Sequence, residues 1–349
     1  AALTADQLNG MASDDLQAMT TNQIKALSTD QMSALSTVQV PLLQTTQIAA
    51  LSSLQVAKLS SDAIASLTTD QVKQLSTAAL NALSTGQLAA LESDAIAALT
   101  TTQLSKLDSQ QVVKLSTSQI EALTTAQTQA LTTAQIAALT SDQVNNMASD
   151  DLKALTSTQV RALTTAQIST LTAAQVALME TADIAALTST QAEKLTTQAV
   201  AALTTDQIKA LSSAALNALS SDQIKAIEAE DVTAMTTEQV KNLSTTQVTR
   251  LTTEQMEALT TGQIQALTTA QVSALTSLQI NKMASDDLQA LLTSQIRALT
   301  SDQINDISTD QISNLTTSQV AALSTAQTSA LTSGQIDSMT SGQLGALNF

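Results

Sequence analysis

Three pairs of adjacent aspartates are the residues of this chain whose type and spacing could do chemistry. Each pair lies in the segment Met-Ala-Ser-Asp-Asp-Leu, which occurs three times. Clustered carboxylates can supply some of the oxygen ligands that Ca²⁺ takes. A competing interpretation is a helix N-terminus, where the helix dipole favours negative charge. The candidate calcium ligands are Asp14, Asp15, Asp150, Asp151, Asp286 and Asp287.

Few residues of this sequence are of a type that could carry out enzymatic catalysis. The chain contains no His and no Cys, so the commonest general base and the thiol nucleophile are absent. Its many Ser hydroxyls have no base partner other than ordinary Lys. No glycine-rich loop is present that would cradle a phosphate. We therefore expect no enzymatic activity, no catalytic residue and no cofactor.

Ser and Thr hydroxyls recur at regular intervals and could form an ordered surface. An ice-binding face would use such regularity but would require Thr almost strictly, whereas Ser and Thr interchange freely here. The same hydroxyls could carry O-linked sugars. Helix capping explains the hydroxyls without any ligand.

These hydroxyls belong to an eight-residue repeat, and the repeat predicts the elements that position every candidate residue. Counting by eight from Leu3 to Leu347 gives (347 − 3)/8 + 1 = 44 positions, all Leu, Met or Ile, without insertion or deletion. The consensus is Leu-(Ser/Thr)-(Ser/Thr)-x-Gln-(Ile/Val/Leu)-x-Ala, whose positions we number one to eight. Positions two and five match a capping box, and positions one and six match a hydrophobic staple. Each octad therefore predicts the start of a helix.

Charge placement predicts the same helices. All 14 basic residues fall at positions seven or eight, and 25 of the 30 acidic residues fall at positions two to five. The helix dipole favours this order, and the order restarts in every octad. In the three octads with an Asp pair, Ala replaces the Ser or Thr of position two. There we expect the following Ser to take over capping.

Two other architectures compete with a row of short helices. In one long helix or coiled coil, eight residues at about 100° each would rotate the Leu stripe by roughly 80° per octad, so the stripe could not face a straight partner. A β-solenoid would favour a period of two, which is absent, and would use less Ala, Gln and Met. We therefore predict an all-α solenoid of about 43 two-turn helices, one per octad, around an aliphatic Leu/Ile/Val core. Each helix should have roughly six residues, with corners of one or two residues.

The predicted domain organisation is a single continuous solenoid over residues 1–349. A 17-octad unit repeats within it every 136 residues (147 − 11 = 283 − 147 = 136), which gives copies at 11–146, 147–282 and, in part, 283–349. Ala also replaces Gln with this spacing, at Ala63 and Ala199 and at Ala79 and Ala215. Either tandem duplication alone explains the long period, or 17 octads span a whole number of solenoid turns.

Four residues interrupt the pattern of the octad. Pro41 is the only proline and stands at position seven, inside a predicted helix that it should kink or end early. Position six is small or polar at Thr128, Ala192 and Thr328. These three sites predict a locally thinner core.

Composition excludes several classes of partner. The net charge is −16, and nucleic acid is bound chiefly through Lys and Arg, so no nucleic-acid partner is expected. No apolar run approaches the roughly 20 residues needed to span a bilayer, so no membrane span is expected. The lack of Cys leaves the redox compartment undefined.

The octad resembles the Leu-Thr-x-x-Gln-Ile-x-Ala repeats of large bacterial surface or secreted proteins. Leu131-Thr132-Thr133-Ala134-Gln135-Ile136-Ala137-Ala138 is one such unit, and similar units cover essentially the whole chain. The resemblance implies a bacterial protein with an extracellular or cell-surface structural role. It carries over no functional residues.

Three functional hypotheses follow. The first is a structural repeat protein that associates with itself, as the subunit of an extracellular filament or sheath or as the stalk of a large adhesin. Its support is the unbroken register, the aliphatic core and the lack of catalytic residues. The second is a binding scaffold whose solenoid surface grips a protein or a glycan. The third is ice binding through the Ser and Thr rows.

Overall fold

The computed structural model describes residues 3–347 and contains, within that range, 42 short α-helices, one 3₁₀-helix (η1) and no strand. The predicted all-α solenoid is therefore confirmed, and neither the β-solenoid nor the single long helix is found. Phe349, the only aromatic residue, lies outside the described residues.

The chain divides into two compact units, Ala1–Thr170 and Leu171–Phe349. The helices of the first unit are α1 Ala5–Asn9, α2 Ser13–Ala18, α3 Thr21–Lys25, α4 Thr29–Ala34, η1 Val40–Leu42, α5 Thr45–Ala50, α6 Ser53–Ala57, α7 Ser61–Ala65, α8 Thr69–Gln74, α9 Thr77–Ala82, α10 Thr85–Ala89, α11 Ser93–Ala97, α12 Thr101–Lys106, α13 Ser109–Val112, α14 Thr117–Glu121, α15 Thr125–Ala130, α16 Thr133–Ala138, α17 Ser141–Asn145, α18 Ser149–Lys153, α19 Ser157–Ala162 and α20 Thr165–Thr170.

The helices of the second unit are α21 Ala173–Leu178, α22 Thr181–Ala186, α23 Ser189–Ala192, α24 Thr197–Ala201, α25 Thr205–Ala210, α26 Ser213–Ala218, α27 Ser221–Ala226, α28 Ala229–Val232, α29 Thr237–Asn242, α30 Thr245–Val248, α31 Thr253–Ala258, α32 Thr261–Ala266, α33 Thr269–Ala274, α34 Ser277–Lys282, α35 Ser285–Ala290, α36 Thr293–Ala298, α37 Ser301–Asp306, α38 Thr309–Ser313, α39 Thr317–Ala321, α40 Thr325–Ser329, α41 Ser333–Ser338 and α42 Ser341–Leu344.

The corners between helices are formed by positions one and two in extended conformation. Leu139 has φ −56° and ψ 144°, and Thr140 has φ −72° and ψ 159°. No residue in the described range has a positive φ, so these helices end without the left-handed residue that usually requires Gly. The octad therefore needs no glycine, and the chain has only six.

Pro41 was expected to kink its helix or end it early, and no α-helix is present in its octad. Only the 3₁₀-helix η1 forms there, because proline cannot donate a backbone hydrogen bond. The start of the octad is still normal. The Ser36 hydroxyl accepts a hydrogen bond from the N–H of Gln39 at 3.3 Å, and the Gln39 Oε1 accepts one from the N–H of Ser36 at 3.2 Å.

The core of each unit is built from positions one and six. In α16 and the corner after it, Ile136 is fully buried and Leu139 is 4% exposed. Within a unit most helices pack against the helix three places further along, for example α12 against α15 in the first unit and α29 against α32 in the second. A helix of two turns is too short to be stable alone, so this packing is what allows it to form.

Candidate functional site

Most octads begin with two reciprocal hydrogen bonds. In α16 the Thr132 hydroxyl accepts from the N–H of Gln135 at 3.2 Å, and the Gln135 Oε1 accepts from the N–H of Thr132 at 2.8 Å. These bonds satisfy backbone donors that every helix N-terminus leaves unpaired. The predicted capping box is therefore present.

The other end of the same glutamine amide binds a distant part of the chain. Gln135 is 2% exposed, and its Nε2 donates to the carbonyl oxygens of Leu104 and Leu107, each at 2.8 Å. These carbonyls lie 31 and 28 residues earlier, at the end of α12 and in the corner after it. The Leu104 carbonyl also accepts from the N–H of Leu107 at 3.2 Å. Each glutamine therefore adds a donor at the end of an earlier helix and in the corner after it, where the helix itself provides few partners.

This connection recurs in both units, and we term it the glutamine ladder. Its members donate from Nε2 to carbonyl oxygens 28 and 31 residues earlier. In the first unit they are Gln47, Gln55, Gln71, Gln103, Gln111, Gln119, Gln127, Gln135, Gln143, Gln159 and Gln167. Gln31 and Gln87 make only the bond at 28, and Gln39 makes only the bond at 31. In the second unit they are Gln207, Gln223, Gln239, Gln247, Gln255, Gln263, Gln271, Gln279, Gln295, Gln303, Gln311, Gln319, Gln327, Gln335 and Gln343.

The ladder gives the size of a solenoid turn within each unit. A glutamine binds the end of the helix four octads earlier and the corner that precedes the helix three octads earlier. One turn therefore takes between three and four octads. Whether 17 octads make a whole number of turns stays a prediction.

The sequence contained a signal for the ladder that capping alone does not explain. Glu completes a capping box as well as Gln does, yet no octad has Glu at position five. A carboxylate offers the cap an acceptor but has no N–H to offer a carbonyl. Of the 43 fifth positions 33 are Gln, five are Asp and five are Ala, so position five favours a side chain that both accepts and donates.

The structure separates the members of the later aspartate pairs. Asp150 and Asp286 are exposed at position four, whereas Asp151 is 3% exposed and Asp287 is 6% exposed at position five. Asp14 and Asp15 are both exposed. Among residues 3–347, no group of three or more acidic side chains is placed to hold a metal ion. Calcium binding by these six residues stays a prediction.

The expected change of cap in these octads was wrong. Ala12, Ala148 and Ala284 remain the N-cap residues and make no side-chain cap bond, and the following Ser is the first helical residue. The carboxylate at position five lies in the first turn, where the helix dipole favours it.

The buried carboxylates occupy the place of a ladder glutamine. The Oδ2 of Asp151 has no hydrogen-bond partner. Burial, with a smaller contribution from the charge of Asp150, raises the pKa of Asp151 to about 6. Burial and then Asp286 raise the pKa of Asp287. Burial therefore disfavours the charged form of these two carboxyl groups.

The Ser and Thr hydroxyls of position two are largely used for capping. The Thr132 hydroxyl accepts from the helix and also donates to the Gln135 Oε1 at 3.1 Å. The hydroxyls of position three, such as that of Thr133, are exposed and are not used in this way, so ice binding stays a prediction. A separate feature is a cleft on the surface of the second unit, which is lined by Lys225, Arg250, Thr253 and Leu278. It combines two cations with an apolar side chain, since Leu278 is 60% exposed.

Comparison with known proteins concerns the repeat alone. The family model described as the ALTTAQ repeat matches residues 8–45, 40–77, 69–101, 92–125, 117–149, 144–179, 176–213, 224–261, 256–285 and 280–317. No curated protein matches the chain. Across residues 3–347, every helix falls short of the length and hydropathy required for a bilayer crossing.

Proposed function

Because this chain belongs to the ALTTAQ repeat family, we propose that it is structural material of the bacterial cell surface. Its role is that of a subunit of an extracellular filament or sheath, or of the stalk of a large adhesin. The observation that carries this proposal is the glutamine ladder. It repeats one pattern of contacts through each unit and sets no position apart for chemistry.

Self-association follows from the same regularity. The octads present their surface positions in the same order at each repeat, and a repeating contact that does not close on itself produces a filament. The net charge of −16 opposes association of copies at low salt. We therefore expect assembly to strengthen as salt screens the charge.

Electron microscopy and sedimentation of the purified full chain test this proposal. Both are carried out at low and at physiological salt over a range of protein concentrations. Filaments or laterally associated particles that grow with salt and concentration support the subunit role. A particle that stays monomeric under all these conditions contradicts self-association. Immunogold labelling of intact cells of the source organism tests the surface location separately.

A binding scaffold is the second candidate, because the cleft of Lys225, Arg250, Thr253 and Leu278 breaks the uniformity of the second unit. Two cations beside an exposed leucine suit an acidic glycan or an acidic peptide. Titration with a sulfated oligosaccharide tests this role. Binding that Arg250→Ala abolishes and Lys73→Ala leaves intact supports it. Equal binding by both variants contradicts a role for the cleft.

A further inference from the structure

The glutamine ladder is interrupted in both units by alanine at position five. In the first unit the interruptions fall in alternate octads, at Ala63, Ala79 and Ala95, which are 0%, 1% and 3% exposed. In the second unit Ala199 and Ala215 are fully buried at the positions 136 residues later than the first two. A methyl group can replace neither end of the glutamine amide.

Two kinds of hydrogen bond are lost at each alanine. At Ala79 the carbonyls that correspond to the ladder are those of Ile48 and Leu51 (79 − 31 and 79 − 28), and no glutamine amide reaches them. The N–H of Ser76 also lacks the Oε1 acceptor. The Ser76 hydroxyl still accepts from the N–H of Ala79 at 3.1 Å, so half of the capping box remains.

Among the helices with alanine at position five, the loss is greatest in α11. Its N-cap residue is Glu92, which makes no side-chain cap bond, and its position five is Ala95. This helix therefore has neither half of the capping box and no ladder bond. Helix α9 packs against α6 and α12, so apolar contact remains where the polar connection is missing.

We propose that residues 60–98 and 196–218, the release segments, open under thermal motion or load before the helices whose ladder is uninterrupted. A short helix depends on its neighbours because nucleation is costly, and local opening follows the weakest set of contacts. Within the release segments Gln71, Gln87 and Gln207 keep alternate octads in the ladder. The segments are thereby weakened without being disconnected.

The order of opening is a property of the folded chain and does not depend on self-association. Its use rests on the proposed structural role. A filament or stalk that lengthens at the release segments before the rest of the solenoid unfolds would absorb load reversibly.

Hydrogen exchange of the full-length protein, at a concentration where it is monomeric, tests the order of opening. The comparison is between the amides of α7, α9 and α11 and those of α14 to α17, whose ladder residues Gln119, Gln127, Gln135 and Gln143 are uninterrupted. We expect exchange in the release segment to be at least about fivefold faster, the effect of one lost hydrogen bond. Equal rates in the two regions would overturn the proposal.

Reciprocal variants make the test specific to the ladder. Ala79→Gln should slow exchange in α9 by restoring both connections, and Gln135→Ala should accelerate exchange in α16. The matched control is Ala78→Gln, which adds the same side chain at an exposed position and should leave exchange unchanged. If the Ala79→Gln variant loses helical circular dichroism, the test rests on Gln135→Ala alone. The proposal then fails if Gln135→Ala does not accelerate hydrogen exchange in α16. Filament images are not part of this test, so its failure is distinguishable from failure of the proposed function.

Discussion

The Nε2 of Gln135 donates to the carbonyl oxygen of Leu107 at 2.8 Å, although the two residues are 28 positions apart in the chain. The Oε1 of the same side chain accepts from the N–H of Thr132, where its own helix begins. One buried amide therefore caps the start of its own helix and also holds that helix against the preceding turn of the solenoid. This double use explains how a solenoid can be built from helices too short to be stable alone.

Replacing the amide by a carboxylate should separate its two uses. Gln135→Glu keeps the acceptor for the cap but loses the donor and buries a charge beside carbonyl oxygens. We expect a loss of about 2–3 kcal/mol in the free energy of unfolding at pH 7.5. Burial raises the pKa of the new carboxyl, so the loss should shrink as pH falls toward 4.5 and the group binds a proton. Urea unfolding followed by circular dichroism at both pH values measures the change.

The control for this variant is Gln129→Glu, which adds the same charge at an exposed position seven. Its effect should be within about 0.5 kcal/mol at either pH. If both variants have the same small effect, the buried amide does not connect the turns.

The hydroxyl at position two should contribute through capping alone. Thr132→Ala removes the acceptor for the N–H of Gln135 and should cost about 1 kcal/mol. Thr133→Ala changes the neighbouring exposed threonine, the first residue of α16, and should be close to neutral. Equal effects of the two substitutions in urea unfolding would contradict a capping role for position two.

The sequence predicted those features of the fold that depend on residues close together in the chain. The capping box places Thr132 and Gln135 three residues apart, so the start of α16 could be derived from local chemistry. The loss of the α-helix at Pro41 has an equally local cause. The bond from Gln135 to Leu107 depends on how many octads complete a turn, which no single octad encodes. The absence of Glu at position five was the one trace of it. The burial of Asp151 was missed for the same reason, because only the packed turn shows which member of the pair faces inward.

The buried carboxyl of Asp151 should make stability depend on pH. Its pKa is raised from 3.8 to about 6 in the folded chain, so the folded state holds the proton to higher pH than the unfolded state does. Stability from this group should fall between about pH 4 and pH 6 and level off above that range. Asp151→Asn should remove this fall and stabilise the protein at pH 7.5 by about 1 kcal/mol.

The measurement for Asp151 is the difference in urea midpoint between variant and parent across pH 4–8. Asp142→Asn, which removes an exposed charge from α17, is the control and should give a flat difference. A flat difference for Asp151→Asn as well would show that the carboxyl does not titrate in this range.

The buried hydroxyl of Thr128 lowers the stability of the core. Thr128 is fully buried at position six, and its Oγ1 has no hydrogen-bond partner. Thr128→Val replaces that hydroxyl by a methyl group of similar size and should stabilise the fold by about 1 kcal/mol. Thr328 is the matched comparison, since it is 2% exposed at the same octad position but its Oγ1 donates to the carbonyl oxygen of Ser324 at 3.1 Å. Thr328→Val loses that bond and should gain less. A larger gain for Thr328→Val than for Thr128→Val in urea unfolding would contradict the assignment of the unpaired hydroxyl.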